Sequence, residues 1–121
     1  MGYHIKWEEK GVFITIEGKI EFEEFLNVNN HLYGKPEFDD AQYQLWYFSD
    51  VADTNFDVED ARIVGSMDKA AMRWNENMKV AVVAENRSII DFVRTYQKMI
   101  EGSNWICEVF KDMDHAREWI R

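Results

Sequence analysis

Tyr43-Gln-Leu-Trp-Tyr-Phe-Ser-Asp50 and Met78-Lys-Val-Ala-Val-Val-Ala84 are the two stretches that decide the fold. Both are almost continuously apolar, which is typical of β-strands that are covered on both faces. The residues between them predict a helix over 58–74, because apolar positions recur every three or four residues: Ala61, Val64, Met67 or Asp68, Ala71 and Trp74. A strand, a helix and a second strand in this order predict two parallel strands joined by a right-handed crossover.

The rest of the chain extends this alternation in both directions. Further strands are predicted at 3–8, 12–17 and 105–110, and the first two form a hairpin. Further helices are predicted at 21–32, ended by Gly34 and Pro36, at about 88–100, and near the C-terminus. The predicted N-caps are Asp57, Ser88, and Asp112 or Asp114. The order is β-β-α-β-α-β-α-β-α, an α/β fold with a mostly parallel five-stranded sheet and one antiparallel edge strand. Residues 1–121 are predicted to form a single domain.

Composition and charge limit the classes of function. The 121 residues are 46% hydrophobic and 15% aromatic and carry a net charge of −9, which favours a compact domain and disfavours nucleic acid as a partner. No apolar run approaches the roughly 18 residues of a membrane span, and no signal-peptide pattern opens the chain. A cytoplasmic location is therefore expected. The single cysteine, Cys107, lies in a predicted strand and is expected to be a buried hydrophobic residue.

Several local patterns resemble those of a known group of proteins. They are Val12-Phe-Ile-Thr-Ile-Glu-Gly-Lys-Ile20, Lys35-Pro-Glu-Phe-Asp39, Tyr43-Gln-Leu45 with Ser49-Asp-Val51, Met78-Lys-Val-Ala-Val-Val83, and Val109-Phe-Lys-Asp112 followed by Ala116-Arg-Glu-Trp-Ile120. In this order the chain resembles the SpoIIAA-like superfamily, specifically the small bacterial STAS/SEC14 domain-containing proteins. The resemblance implies a right-handed β-α superhelix, the fold of anti-sigma-factor antagonists and of the lipid-binding Sec14 domain.

The loop before the second predicted helix departs from the regulatory members of that group. Those proteins carry an Asp-Ser-Ser-Gly-type motif with a phosphorylatable Ser or Thr, whereas Thr54 is the only hydroxyl here and lies among acidic residues. A phosphate would therefore meet like charge. The loop also lacks the spacing of a Ca²⁺ loop, so helix capping and solvated charge explain its acids, and neither a metal nor a cofactor is expected. The candidate ligand or partner loop consists of Asp50, Asp53, Thr54, Asn55 and Asp57.

The aromatic residues suggest an interaction surface. If the helices cover mainly one face of the sheet, side-chain alternation leaves the other face partly open. The candidate interaction face consists of Phe13, Trp46 or Phe48, and Phe110. The alternative is that these rings belong to the ordinary core.

These observations lead to two hypotheses about function. The three histidines lack metal-type spacing, and no nucleophile elbow or phosphate-binding glycine loop is present, so catalysis is not expected. The first hypothesis is a non-enzymatic interaction domain that forms a homodimer and binds an unidentified protein partner. The second is a carrier or sensor of a small apolar ligand such as a fatty acid, by analogy with Sec14. Its candidate cavity residues are Met67, Met72 and Trp74.

Overall fold

The five predicted strands form one sheet. The computed structural model describes residues 2–49, 51, 54 and 56–121, with Ser49 described by its backbone alone. The strands are β1 (Gly2–Trp7), β2 (Gly11–Glu17), β3 (Tyr43–Ser49), β4 (Met78–Val83) and β5 (Trp105–Phe110), and they lie in the order β1-β2-β3-β4-β5. β1 pairs antiparallel with β2, and all other neighbours pair parallel. The predicted topology is confirmed.

The helices are α1 (Phe22–Leu32), α2 (Pro36–Asp40), α3 (Val58–Ala71), α4 (Arg87–Met99) and α5 (Met113–Ile120). The short α2 was not predicted, because Pro36 was interpreted only as a helix stop. Proline also suits the first turn of a helix, where its missing N–H has no intrahelical partner, and it begins α2. The buried Phe38 and the Asn75 side chain, which donates to the carbonyls of Phe38 and Ala41, hold α2 in place. No helix among the described residues is long and apolar enough to cross a membrane.

The helix caps partly follow the predictions. Asp57 caps α3 by accepting from the Asp60 N–H at 2.9 Å, and Asp112 caps α5 in the same way through the His115 N–H. The cap of α4 is Asn86, whose side chain accepts from the N–H groups of Ser88 and Ile89, so the prediction of Ser88 was wrong by two residues. Both residue types favour this position, and only the backbone geometry decides between them.

The two faces of the sheet are covered by different helices. Ile14, Trp46 and Val82 lie side by side on neighbouring strands, and the adjacent row, which starts at Phe13, points to the opposite face. Buried side chains of α1, α2, α3 and α4 cover the Ile14 face, and Ala116 and Ile120 of α5 cover the Phe13 face.

This register corrects the predicted interaction face. Trp46 and Phe48 lie beneath the helices and are only 4% and 8% exposed, whereas Phe13 and Phe110 lie on the α5 face. The two pairs are therefore on opposite sides of the sheet, and the prediction that they share an open surface was wrong. Alternation fixes which residues of one strand share a face, but the pairing register decides which residues of the neighbouring strands lie on that face.

A glycine sets the distance between α3 and α4. A Cβ atom on Gly65 would lie 2.5 Å from Cβ of Met99, which is closer than such atoms approach in proteins. The absence of a side chain thus allows α4 to pack directly on α3, and this contact positions the inner face of α3.

We predict that Gly65→Ala lowers the free energy of unfolding by about 1–3 kcal/mol, because the added methyl group overpacks the contact with Met99. At an unhindered helix position the same substitution would raise the free energy of unfolding by about 1 kcal/mol. The sign of the change therefore shows whether α3 and α4 are in close contact at Gly65. Urea denaturation measures the difference, with Ser66→Ala, on the exposed side of the same helix, as the control. A stabilised Gly65→Ala variant would contradict the close packing.

Candidate functional site

The inner face of α3 carries a buried carboxyl group, Asp68. Asp68 is 3% exposed and accepts hydrogen bonds from the hydroxyls of Tyr33, which follows α1, and Tyr96 of α4. The Tyr96 hydroxyl lies 2.5 Å from Oδ2, and the Asn29 side chain donates to the Tyr33 oxygen at 2.9 Å. We call Asn29, Tyr33, Asp68 and Tyr96 the Asp68 cluster. It connects three helical segments through a single carboxyl group.

Burial dominates the electrostatics of the Asp68 cluster. Loss of solvation raises the pKa of Asp68, and the hydrogen bonds from Tyr33, Tyr96 and Asn29 only partly oppose this effect. Burial also raises the pKa values of both tyrosines, which therefore remain protonated donors. None of the ion pairs found among the described residues includes Asp68. Within the described part of the chain, this buried carboxyl group thus has hydrogen-bond donors but no cationic side chain as a partner.

A cavity of about 40 Å³ lies between the Asp68 cluster and the sheet. Its walls include Asp68, Tyr96 and Asn29, the Gln44 amide, and the aromatic rings of Phe25, Trp46 and Phe92. This volume is enough for a few water-sized groups, since a single water needs about 10–15 Å³, but it is far below the roughly 300 Å³ or more of sites for drug-sized molecules. A fatty acid chain would need the cavity to expand.

The residues predicted to line a cavity lie elsewhere. Trp74 is 59% exposed, Met67 is half-buried, and Met72 packs against the edge of the main core; none of the three lines the cavity. The helical spacing of Met67 and Trp74 was interpreted as part of an inward stripe. In the structure α3 ends at Ala71 and is rotated so that Val64 and Asp68 face inward and Met67 lies on the flank.

The outer side of α3 carries an apolar surface instead. Ile63 and Trp74 are 44% and 59% exposed, and with Met67 and Ala70 they recur at intervals of four, three and four residues along the helix and its last turn. We call these four residues the α3 stripe. Charged residues of opposite sign lie at its two ends: Glu59 and Asp60 near the start of α3, and Lys69 and Arg73 near its end. Exposed apolar groups in such a row are typical of contact surfaces.

Phe13 and Phe110, the other half of the predicted interaction face, are half-buried under α5. The guanidinium of Arg117 lies 5.1 Å from the centre of the Phe13 ring, and the rings of Phe110 and Trp119 are 5.5 Å apart. Arg117 is itself held by Glu8 through two hydrogen bonds of 2.7 and 2.8 Å, which keep the pKa of Glu8 below its usual range. These intramolecular contacts leave less of the two rings available to a partner than the sequence suggested.

The candidate loop is described only in part. Asp50, Asp53 and Asn55 lie outside the described residues. The Thr54 hydroxyl is buried and has no hydrogen-bond partner among the residues that the structure describes, and Asp57 caps α3 as predicted. The role of this loop in binding a ligand or partner stays a prediction. Within the described part of the chain, no three His, Cys, Asp or Glu side chains are grouped as around a metal ion.

The lone cysteine behaves as the sequence predicted. Cys107 is 6% exposed, and burial raises the pKa of its thiol. The nucleophilic thiolate form is therefore disfavoured.

One signal for the Asp68 cluster was present in the sequence but was overlooked. An acidic residue at an apolar position of an amphipathic helix is either buried with a hydrogen-bonding partner or turned to the surface. The helical spacing alone allowed either Met67 or Asp68 to be the residue that faces inward. The partners could not be predicted from the sequence, because Tyr33 and Tyr96 are 35 and 28 positions away from Asp68.

The fold is similar to that of a solved protein. A crystal structure of an uncharacterised protein of the DUF3478 family from Shewanella loihica PV-4, described as having a SpoIIAA-like fold, matches with a TM-score of 0.54 at 12% identity. The match covers 99% of this chain and 93% of the other. The chain therefore has a SpoIIAA-like fold, as the sequence resemblance implied. No protein-family model matches the chain, and no match was found among curated proteins.

We predict that Asp68→Asn changes how stability depends on pH. The pKa of Asp68 is higher in the folded state than in the unfolded state. The native protein therefore loses stability as the pH rises from the lower of these two values to the higher one. Asparagine has no such proton to lose, so the stability of the variant relative to the original protein should increase as the pH rises from about 4, the ordinary pKa of an aspartate, towards neutral pH. Denaturant melts across this range measure it, with Asp39→Asn at an exposed position as the charge-loss control. A pH-independent difference would contradict the raised pKa.

Proposed function

We propose that this chain is a non-enzymatic cytoplasmic interaction domain that forms a homodimer through the α3 stripe. The observation that carries the proposal is the stripe itself. Four large apolar side chains are exposed in the described structure: Ile63 and Trp74 of the stripe, on α3 and in the turn after it, Val58 at the start of α3, and Ile106 on β5. Concentration on one helix distinguishes this surface from the single exposed apolar residues that are normal in proteins.

The charges beside the stripe favour a second copy of the chain as the partner. The start of α3 carries Glu59 and Asp60, of which Glu59 pairs with Arg62 at 2.5 Å, and its end carries Lys69 and Arg73. Two such helices packed antiparallel about a two-fold axis would place each acidic end beside the partner's basic end. A parallel arrangement would place like charges together. Local complementarity matters here because each chain carries a net charge of −9, so two copies repel at long range.

The pairing of charges and of large with small side chains selects one register of this dimer. With the axis between Ser66 and Met67, antiparallel pairing places Ile63 opposite the partner's Ala70, a large side chain against a small one. The same axis places Asp60 opposite the partner's Arg73. Met67 then lies next to the axis and close to its own symmetry mate.

The chemistry of the described residues supports a role in binding rather than catalysis. The cysteine thiol is buried with a raised pKa, as above. His4, His31 and His115 are all exposed, and His115 pairs with Asp112, the N-cap of its own helix. A free, buried thiol also suits a reducing compartment. These features favour an interaction domain in the cytoplasm, where the dimer would present its remaining surfaces to another protein.

We predict that Met67→Cys forms an intermolecular disulfide under mild oxidation, because two copies of residue 67 lie close together in the antiparallel dimer. The native thiol of Cys107 is buried, so the new thiol is the reactive one. Non-reducing electrophoresis detects the product. Ile106→Cys, at an exposed position on β5, is the matched control and should remain largely uncrosslinked.

We also predict that Ile63→Glu weakens self-association by about 30-fold, the effect of losing roughly 2 kcal/mol at a central contact. Sedimentation equilibrium measures the change, and Ile106→Glu provides an apolar-to-charged control outside the stripe. A strictly monomeric original protein at tens of micromolar, or equal effects of the two variants, would refute dimerisation through α3.

A further inference from the structure

The outer edge of β1 carries unpaired backbone groups. The Glu8 N–H donates to the Gly11 carbonyl at 2.7 Å, in register with the antiparallel pairing of β1 and β2. In such a pair, residues that bond to the neighbouring strand alternate with residues that do not. Counting back from Glu8, the N–H and C=O groups of Tyr3, Ile5 and Trp7 therefore point away from β2. No hydrogen bond within the described part of the chain reaches these outward groups.

The opposite edge of the sheet is partly covered. Gln97 of α4 donates to the carbonyl of Cys107 at 2.7 Å, so a helix side chain already occupies the outer side of β5. No such cover lies over β1 among residues 2–49, 51, 54 and 56–121. A strand edge with free N–H and C=O groups is a template to which another extended segment can add.

A groove of about 290 Å³ lies beside the edge of β1. Its walls are Tyr3, Ile5 and Trp7 of β1, with His31 near the end of α1 and Lys35 just before α2. The residues with free backbone groups are thus also the residues whose half-buried side chains line the groove. A strand added to β1 would place every second side chain over these apolar and aromatic groups.

The charges along the middle of β1 are basic. His4 and Lys6 are exposed on the other face of the strand, and Lys35 borders the groove. Neither lysine belongs to an ion pair among the described residues. Acidic residues lie at the two ends: Glu17 lies across from the start of β1, and Glu8, which follows its end, is held in an ion pair. Although the chain carries a net charge of −9, this edge favours acidic side chains in a partner.

We propose that the outer edge of β1 binds an extended acidic segment of a partner protein, which adds to the sheet as a sixth strand. Apolar and acidic side chains alternate in that segment: the apolar set covers the groove, and the acidic set lies beside His4 and Lys6. A second copy of β1 fits less well, because pairing centred on Ile5 places Lys6 of one copy beside His4 of the other. The inference deepens the proposed role as an interaction domain by giving the chemistry of the protein partner.

The test is fluorescence anisotropy with the full chain and labelled peptides of about nine residues. In the first peptide valine and glutamate alternate; the second has the same composition with the glutamates grouped together, and the third has lysine in place of glutamate. The first should bind at least about tenfold more tightly than the other two. Equal binding of the three peptides, or no binding of the first at about 1 mM, overturns the proposal.

Backbone methylation tests whether the peptide adds as a strand. Only one edge of an added strand faces β1, and the nitrogens on that edge belong to every second residue. N-methylation of one alternate set of peptide nitrogens should therefore abolish binding, and methylation of the other set should leave binding measurable. Equal effects of the two methylated sets overturn strand addition.

Two variants locate the site. Ile5→Pro removes an N–H that points away from β2, so it should weaken peptide binding at least about tenfold while the pairing with β2 remains. Lys6→Glu reverses an exposed charge and should weaken binding about fivefold even if Ile5→Pro folds poorly. Lys111→Glu, the same change at an exposed position after β5, is the matched control and should bind as the original does. Equal binding by Lys6→Glu and Lys111→Glu, or undiminished binding by a folded Ile5→Pro variant, overturns the proposal.

The α3 dimer is distinguished from this edge by a further variant. Ile63→Glu weakens the dimer but leaves β1 unchanged, so it should bind the acidic peptide with the original affinity. Loss of peptide binding in Ile63→Glu overturns the assignment to β1. Conversion of a dimer into a monomer by Ile5→Pro means that a second copy occupies the edge and overturns the acidic partner. A dimer that binds none of the peptides refutes this inference alone.

Discussion

The position of α3 depends on one buried carboxyl group. Asp68 accepts hydrogen bonds from Tyr33 and Tyr96, which belong to different helical segments, so α3 cannot rotate or slide without leaving hydroxyls unpaired in the interior. Gly65 acts one turn earlier by allowing α4 to approach α3 closely. The directional hydrogen bonds to Asp68 and the close helix contact at Gly65 together determine which residues of α3 face the core.

The orientation of α3 separates two kinds of chemistry on one short helix. Met67 and Asp68 are neighbours in the chain, and the turn of about 100° between successive residues places one on the flank of the helix and the other in the interior. The inside is a small cavity with a carboxyl group and aromatic walls. The outside is an apolar row with charges of opposite sign at its ends. The inner and outer surfaces of α3 can act independently, since they are on different sides of the helix.

Prediction from sequence succeeded where the signal was local. The bounds of β5 matched exactly the predicted 105–110, and Asp57 was identified as the cap of α3, because alternation and capping depend on neighbouring residues. It failed at α2, because a proline can either end a helix or begin one, and at the cap of α4, because Asn86 and Ser88 are both suitable N-cap residues. It also failed for Trp46 and Phe48, which are buried although their strand pattern equally allowed an open face.

The sequence by itself determined the order of the five strands and of every helix except α2, and the mostly parallel sheet, because these follow from periodicity and from short connections; its resemblance to known proteins indicated the SpoIIAA-like fold. Only the tertiary structure decided which sheet face the helices cover, that Asp68 lies inside and that Met67 and Trp74 lie outside. Periodicity shows that a helix has an apolar side, but it leaves the rotation of the helix about its own axis uncertain by about one residue. That rotation was decided by partners 35 and 28 positions away, whose approach depends on the packing of the whole domain.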